Sequence, residues 1–201
     1  MTTLARISQG VAAARLLRCA VGIGILVMSM ALPGCSGSTP TTPRPPTTTT
    51  PSVTFVADAS NGGIDAIALS LTSSTAEAFT LALMASEVTD LFGYGVDITF
   101  DPAVVMFDTA TMGTFLDGEG ITVTTQITEG PVGTLVIGQS RVGAVPGMSG
   151  SGTLVSLDFR SVAPGTSTLS TSNAGAFDST GAAMTTEFFG GTATVPSTGT
   201  R

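Results

Sequence analysis

The side chains that could do chemistry in this chain are few, and most are acidic. Of 201 residues, 14 are Asp or Glu and seven are basic, and no histidine occurs; all seven basic residues are arginine. An enzyme needs a nucleophile with a base, paired carboxylates or a metal. Without imidazole or amine side chains, only carboxylate chemistry remains. Two spacings bring acids together, Asp117-Gly118-Glu119 and Asp97 with Asp101. In an extended segment Asp97 points outward while Asp101 enters a turn before Pro102, so the two do not flank one bond as acid and base. Asp117 and Glu119, in TFLDGEGIT, are the one calcium candidate, but calcium takes about six to eight oxygens and Asp-Gly equally suits a hairpin tip. The hairpin is the reading adopted, with no cofactor expected. Cys19 and Cys35 have no histidine or lysine to lower a thiol pKa. The chain is read as non-catalytic.

The charge is segregated. Arg6, Arg15 and Arg18 precede the first apolar run, and all fourteen acids follow it. Removal of the leader leaves four basic residues against fourteen acids, a net charge of −10. Nucleic acid, which demands a basic footprint, is excluded as a partner.

The basic start, the apolar run Cys19–Ala31 and the LPGC that follows have the layout of a secretory signal. Leu32-Pro33-Gly34-Cys35 resembles the lipobox of bacterial lipoproteins, with Pro33 in place of the usual small residue. The resemblance implies that Cys35 is the first mature residue, lipidated and held in the cell envelope, at the outer membrane in a Gram-negative host. Residues 1–34 are thus expected to be a signal peptide. Residues 35–52, SGSTPTTPRPPTTTTPS after Cys35, cannot bury a core and form a Thr/Pro spacer.

From residue 53 to 195 the pattern is of short strands divided by turn signals, among them Asp101-Pro102, Glu129-Gly130-Pro131 and Pro164-Gly165. Residues 196–201 are a tail. With 25 Gly, 11 Pro and 10% charged residues, the expectation is an all-β domain, a β-sandwich or jelly roll. Alternation predicts separate strands at Phe79–Ala85 and Leu91–Phe100, and one strand over Glu187–Val195. It also points Phe79, Leu81, Leu83, Phe92, Tyr94, Val96, Ile98, Phe100, Ile121, Val123, Ile127, Val155, Leu157 and Phe159 inward. Ser73–Phe79 and Thr109–Leu116 are each expected to hold a helical turn. On the strand LFGYGVDITF the outward positions are bare, with Gly93 and Gly95 beside Asp97 and Thr99.

The order FTLALMASEVTDLFGYGVDITFDPAVVMF, IGQSRVG, GSGTLVSLDF and FDSTGAAM resembles the cohesin family. Its most specific parts are the strand ending in Asp101-Pro102 with Val104, Val105 and Phe107 following, and Gly150-Ser151-Gly152 before Leu154, Leu157 and Phe159. The resemblance implies a nine-stranded jelly roll, shared with carbohydrate-binding modules, that binds a dockerin-like protein through one flat sheet face in scaffolding or adhesion. The candidate contact residues are Asp97, Thr99, Thr122, Thr124, Gln126, Ser156 and Asp158. Where well-studied cohesins carry Asn and Asp, six and eight residues before the Asp-Pro aspartate, this chain has Gly95 and Gly93. Polysaccharide is the alternative partner, although the chain has no Trp and a single Tyr, Tyr94, directed inward.

Overall fold

A computed structural model describes residues 50–58, 63–131 and 133–197. The leader, Cys35, most of the spacer and the tail end lie outside the described residues. No helix among the described residues is long and apolar enough to cross a membrane.

Among the described residues ten strands form: β1 Thr54–Ala57, β2 Ala66–Ser74, β3 Ala78–Thr99, β4 Val105–Met112, β5 Val123–Glu129, β6 Thr134–Arg141, β7 Met148–Ser161, β8 Gly165–Asp178, β9 Glu187–Phe189 and β10 Gly191–Val195. The long β3 belongs to two layers. Its first half pairs with β2 and β7, its second half with β6 and β8. One layer therefore runs β4-β7-β3-β2-β9 and the other β5-β6-β3-β8-β10-β1. All pairings are antiparallel except β2 with β9. This is an all-β sandwich of the jelly-roll kind.

The crossover in β3 replaces the break expected between Ala85 and Leu91. Glu87 and Asp90 adopt positive φ values, 47° and 60°, and the ladder to β7 shifts register on either side of Val88. Strands that change sheets turn such corners with irregularities of this sort. The amides released there are recaptured: Glu87 N donates to Ser151 Oγ at 2.9 Å and Asp90 N to Ser149 Oγ at 3.0 Å. Asp90 Oδ1 in turn accepts the Gly147 amide at 2.7 Å.

The expected last strand also divides, into β9 and β10. At Gly190 a Cβ would run into the Leu169 carbonyl, so only glycine lets the chain step from β9 in one layer to β10 in the other. Neither expected helical turn forms. Ser73 and Ser74 continue β2, and Thr75 Oγ1 accepts the Ala78 amide to close the β2–β3 turn. Strand β4 extends to Met112, after which Phe115 and Leu116 are buried.

One core lies between the layers. Phe79, Leu81, Leu83, Val96, Ile98, Val155, Leu157 and Phe159 are all buried in it, as alternation predicts. Phe159 is its aromatic hub, stacked on Phe79 at 5.3 Å and edge-on to Phe100 at 5.4 Å and Phe107 at 5.9 Å. Asp101 Oδ1 accepts the Ala103 amide at 2.9 Å while its carbonyl accepts Val104 and Val105, so the Asp-Pro turn is held by its own first residue.

Candidate binding face

The outer face of β5-β6-β3-β8 is a grid that the ladder registers define. Thr124, Ser140, Gly93 and Phe177 form one cross-strand row; Gln126, Gly138, Gly95 and Gly175 form the next; Thr128, Val136, Asp97 and Ser172 form the third. The middle row places three glycines side by side on three adjacent strands. With strands about 4.8 Å apart, Gly95 and Gly138 leave a bare strip, while the Phe177 ring reaches over Gly175.

The glycines in this region differ in what holds them. A Cβ on Gly95 would meet nothing closer than Ile137 O at 3.9 Å, and one on Gly138 nothing closer than Tyr94 O at 3.8 Å. Neither has a positive φ. Space and backbone would both admit a side chain. Gly93 is the opposite case, since its Cβ would sit 3.0 Å from Gln139 O and 3.1 Å from Ser140 Oγ.

Next to this strip lies a cavity of about 650 Å³ lined by Phe92, Phe177, Thr124, Gln126, Ser140 and the Asp178–Gly181 turn, among others. Phe92 is there because of a bulge. Between Leu91, opposite Asp178, and Gly93, opposite Phe177, Phe92 has no partner on β8. An extra residue reverses the alternation, so Leu91 is fully buried and Phe92 turns to the groove, contrary to the inward placement that strict alternation gave it. Phe177 is 47% exposed, and its ring lies 3.9 Å from the Cβ position of Gly175.

Hydrogen bonds shape the rim. Asp178 Oδ1 accepts the Thr180 hydroxyl at 2.7 Å and the Thr180 and Ala182 amides at 2.9 Å. These bonds, the Thr180 hydroxyl foremost, hold the carboxyl below its ordinary pKa. Asp90 Oδ2 accepts the Ser179 hydroxyl at 2.7 Å, which with the Gly147 amide likewise lowers its pKa. Beneath the face, Tyr94 donates to Gln139 Oε1 at 2.8 Å, and burial pushes the phenol pKa up.

The seven candidate contact residues do not share a face. Asp97, Thr99, Thr124 and Gln126 project from β3 and β5 on this side, with Asp97 Oδ2 accepting Asn173 Nδ2 at 2.7 Å. Thr122 precedes β5 and borders a separate cavity with Met112, Leu116 and Asp117. Ser156 and Asp158 belong to β7 in the other layer, where Asp158 Oδ1 accepts Thr80 Oγ1 at 2.6 Å. Alternation says which way a side chain points from its own strand but not to which sheet that strand belongs. Phe92, Gly138, Phe177 and Asp178 are the groove residues that sequence reasoning missed.

Asp117 stands exposed before the 3₁₀ turn Gly118–Gly120 and makes no capping bond; the side chain of Glu119 lies outside the described residues. Among the described residues no group of three acids, histidines or cysteines is placed to hold a metal.

No family model matches the sequence, and no curated protein matches it. Solved structures do. The chain is similar to a type II cohesin domain from the cellulosome of Acetivibrio cellulolyticus, at 19% identity and a TM-score of 0.50 over 63% of this chain and 90% of that one. It is likewise similar to the structure of the sixth cohesin of scaffoldin B of the same organism in complex with a Cel5 dockerin mutant, at 14% identity and a TM-score of 0.52 over 62% of this chain and 95% of that one. The fold is the cohesin fold. At these identities the likeness covers the fold alone.

Proposed function

We propose that the chain is a non-catalytic, exported module that binds a protein partner through the outer face of β5-β6-β3-β8. The observation that carries this reading is the pair Gly95 and Gly138, which the packing of the domain does not require. Glycine within a strand is less stable than alanine by about 0.5–1 kcal/mol, so retaining two where a side chain would fit favours a use outside the fold. A bare strip lets another backbone or side chain come close. The partner is a dockerin-like module, by analogy with the dockerin complex of a cohesin of the same fold. The lipobox-like LPGC and the Thr/Pro spacer add envelope attachment through Cys35 and distance from the membrane.

The test uses the full chain as bait for extracellular proteins of its host, beside two variants. Gly95→Arg fills the strip, and Ser156→Arg puts the same group on the opposite sheet. The partner is expected to be lost with the first and kept with the second. Loss with both, or with Ser156→Arg alone, removes the assignment to this face.

A second reading, polysaccharide binding, is favoured by the two rings of Phe92 and Phe177 on one groove. Affinity electrophoresis in cellulose, xylan and pectin derivatives separates the two. Retarded migration that Phe177→Ala abolishes would put glycan first.

A further inference from the structure

We propose that the free edge of β5 takes an added antiparallel strand: an extended segment of another protein, apolar at alternate positions and basic at its ends. This edge is distinct from the outer face that Gly95 and Gly138 leave bare, and its use does not depend on that face.

The backbone shows which groups are free. Thr122 O accepts the Val142 amide at 2.9 Å, Gly130 N donates to Thr134 O at 2.9 Å, and the β5–β6 register runs unbroken between these two bonds. Antiparallel residues bond in alternation, so Thr124, Gln126 and Thr128 turn their N–H and C=O groups to β6, while Val123, Thr125, Ile127 and Glu129 turn theirs outward. Among the described residues no backbone group pairs with that outward row. Its groups recur every two residues, about 6.8 Å, which is the repeat that a neighbouring strand offers.

The other sheet edges are guarded. Strands β1 and β9 have only four and three residues, and β4 carries a bulge at Asp108, whose carboxylate pairs with Arg160 at 3.2 Å. Short strands, bulges and charges blunt an edge. Strand β5 has seven residues, VTTQITE, regular in register, free of proline and uncharged before Glu129. An edge of this composition is a template for another strand.

Side chains and charge specify the occupant. Val123 and Ile127 pack against the core yet stay half-buried, and Val123 shares a cavity of about 370 Å³ with Met112, Leu116 and Ile121. An added strand covers them with its own side chains on that side, which favours apolar residues at every second position. Glu129 closes β5, and the exposed Asp117 borders the same cavity as Val123. Residues 50–197 hold fourteen acids against two arginines, of which Arg141 is buried and Arg160 is paired with Asp108. A second copy would bring the same negative charge to the edge, whereas a basic strand is drawn to it.

The test reads the β5 amides. The full chain, ¹⁵N-labelled and held in detergent micelles, is followed by hydrogen exchange alone and with the peptide acetyl-Lys-Thr-Val-Thr-Val-Thr-Lys-amide. In the free chain the Thr124, Gln126 and Thr128 amides are expected to exchange slowly and those of Thr125 and Ile127 quickly. The peptide is expected to slow Thr125 and Ile127 saturably. A peptide with N-methylated valines lacks the amides that meet the edge, and one with glutamate at both ends is repelled; each is expected to bind about tenfold more weakly. Thr125→Pro removes an outward amide that β6 does not use, and is likewise expected to weaken binding about tenfold. Glu129→Gln is expected to weaken it about threefold. Glu77→Gln, the same charge change on the exposed β2–β3 turn, is expected to leave affinity unchanged. Slow exchange of Thr125 and Ile127 in the free chain would mean that a segment of the chain or a second copy already fills the edge, and would overturn the proposal. So would exchange that the peptide leaves unaltered, equal binding of the N-methylated or glutamate peptide, or equal weakening by Glu129→Gln and Glu77→Gln. If Thr125→Pro does not fold, the two control peptides and Glu129→Gln decide by themselves.

Discussion

Gly95 of β3 lies directly opposite Gly138 of β6, and no side chain covers either. Two residues beyond Gly138 on β6, Ser140 lies opposite Gly93, whose missing Cβ is crowded by Ser140 and the Gln139 carbonyl. Neighbouring glycines of one strand thus have different reasons to be glycine.

Gly95→Thr is therefore expected to preserve or raise stability, by up to about 1 kcal/mol, because threonine suits an open strand position. Gly93→Thr presses on the Gln139 carbonyl and Ser140, and is expected to be less stable than Gly95→Thr. Urea unfolding of the two variants checks the order. Gly95→Thr is also expected to weaken partner capture while melting normally.

Phe159→Ala removes the ring on which Phe79, Phe100 and Phe107 converge. The expected loss is about 3–5 kcal/mol, and Phe159→Leu is expected to recover more than half of it. Equilibrium denaturation measures both. A small effect for the alanine variant would mean that the layers close over the gap.

Asp90 links the β3 corner to the β8 turn as an ionised acceptor, and its pKa lies below its ordinary value of 3.8. A depressed folded pKa contributes stability that is present above the unfolded value and lost as pH falls through the folded one. Asp90→Asn is thus expected to melt below the parent at pH 7, with the difference shrinking below about pH 4. Melting curves from pH 7 to pH 2.5 check this. A constant difference across that range would show that the charge of Asp90 contributes nothing.

Cys35→Ser is expected to abolish incorporation of radiolabelled fatty acid and to release the protein from membranes of the host. Fractionation and lipid labelling measure both effects. Equal membrane retention of the variant would point to an uncleaved apolar leader as the anchor.

Much of the architecture was legible from local pattern alone. The stripes Phe79-Leu81-Leu83 and Val155-Leu157-Phe159 are buried as their period of two requires, and Asp101-Pro102 ends β3 because proline offers no amide to a ladder. Composition alone marked the acidic stretch from residue 53 to 195 as all-β. These are properties of a residue and its near neighbours, so the sequence carries them directly.

The face was decided by the tertiary structure. Gly95 aligns with Gly138 and Gly175 only because strands far apart in sequence pair in one register. Ser156 and Asp158 share the alternation of Gln126 yet lie on the other sheet, because β3 crosses between layers and β7 follows its first half. One unpaired residue at Phe92 then moves a ring from the expected core to the groove. Strand pairing is a long-range contact between segments whose own patterns are compatible with several partners, and a bulge is visible only against the partner that it fails to match.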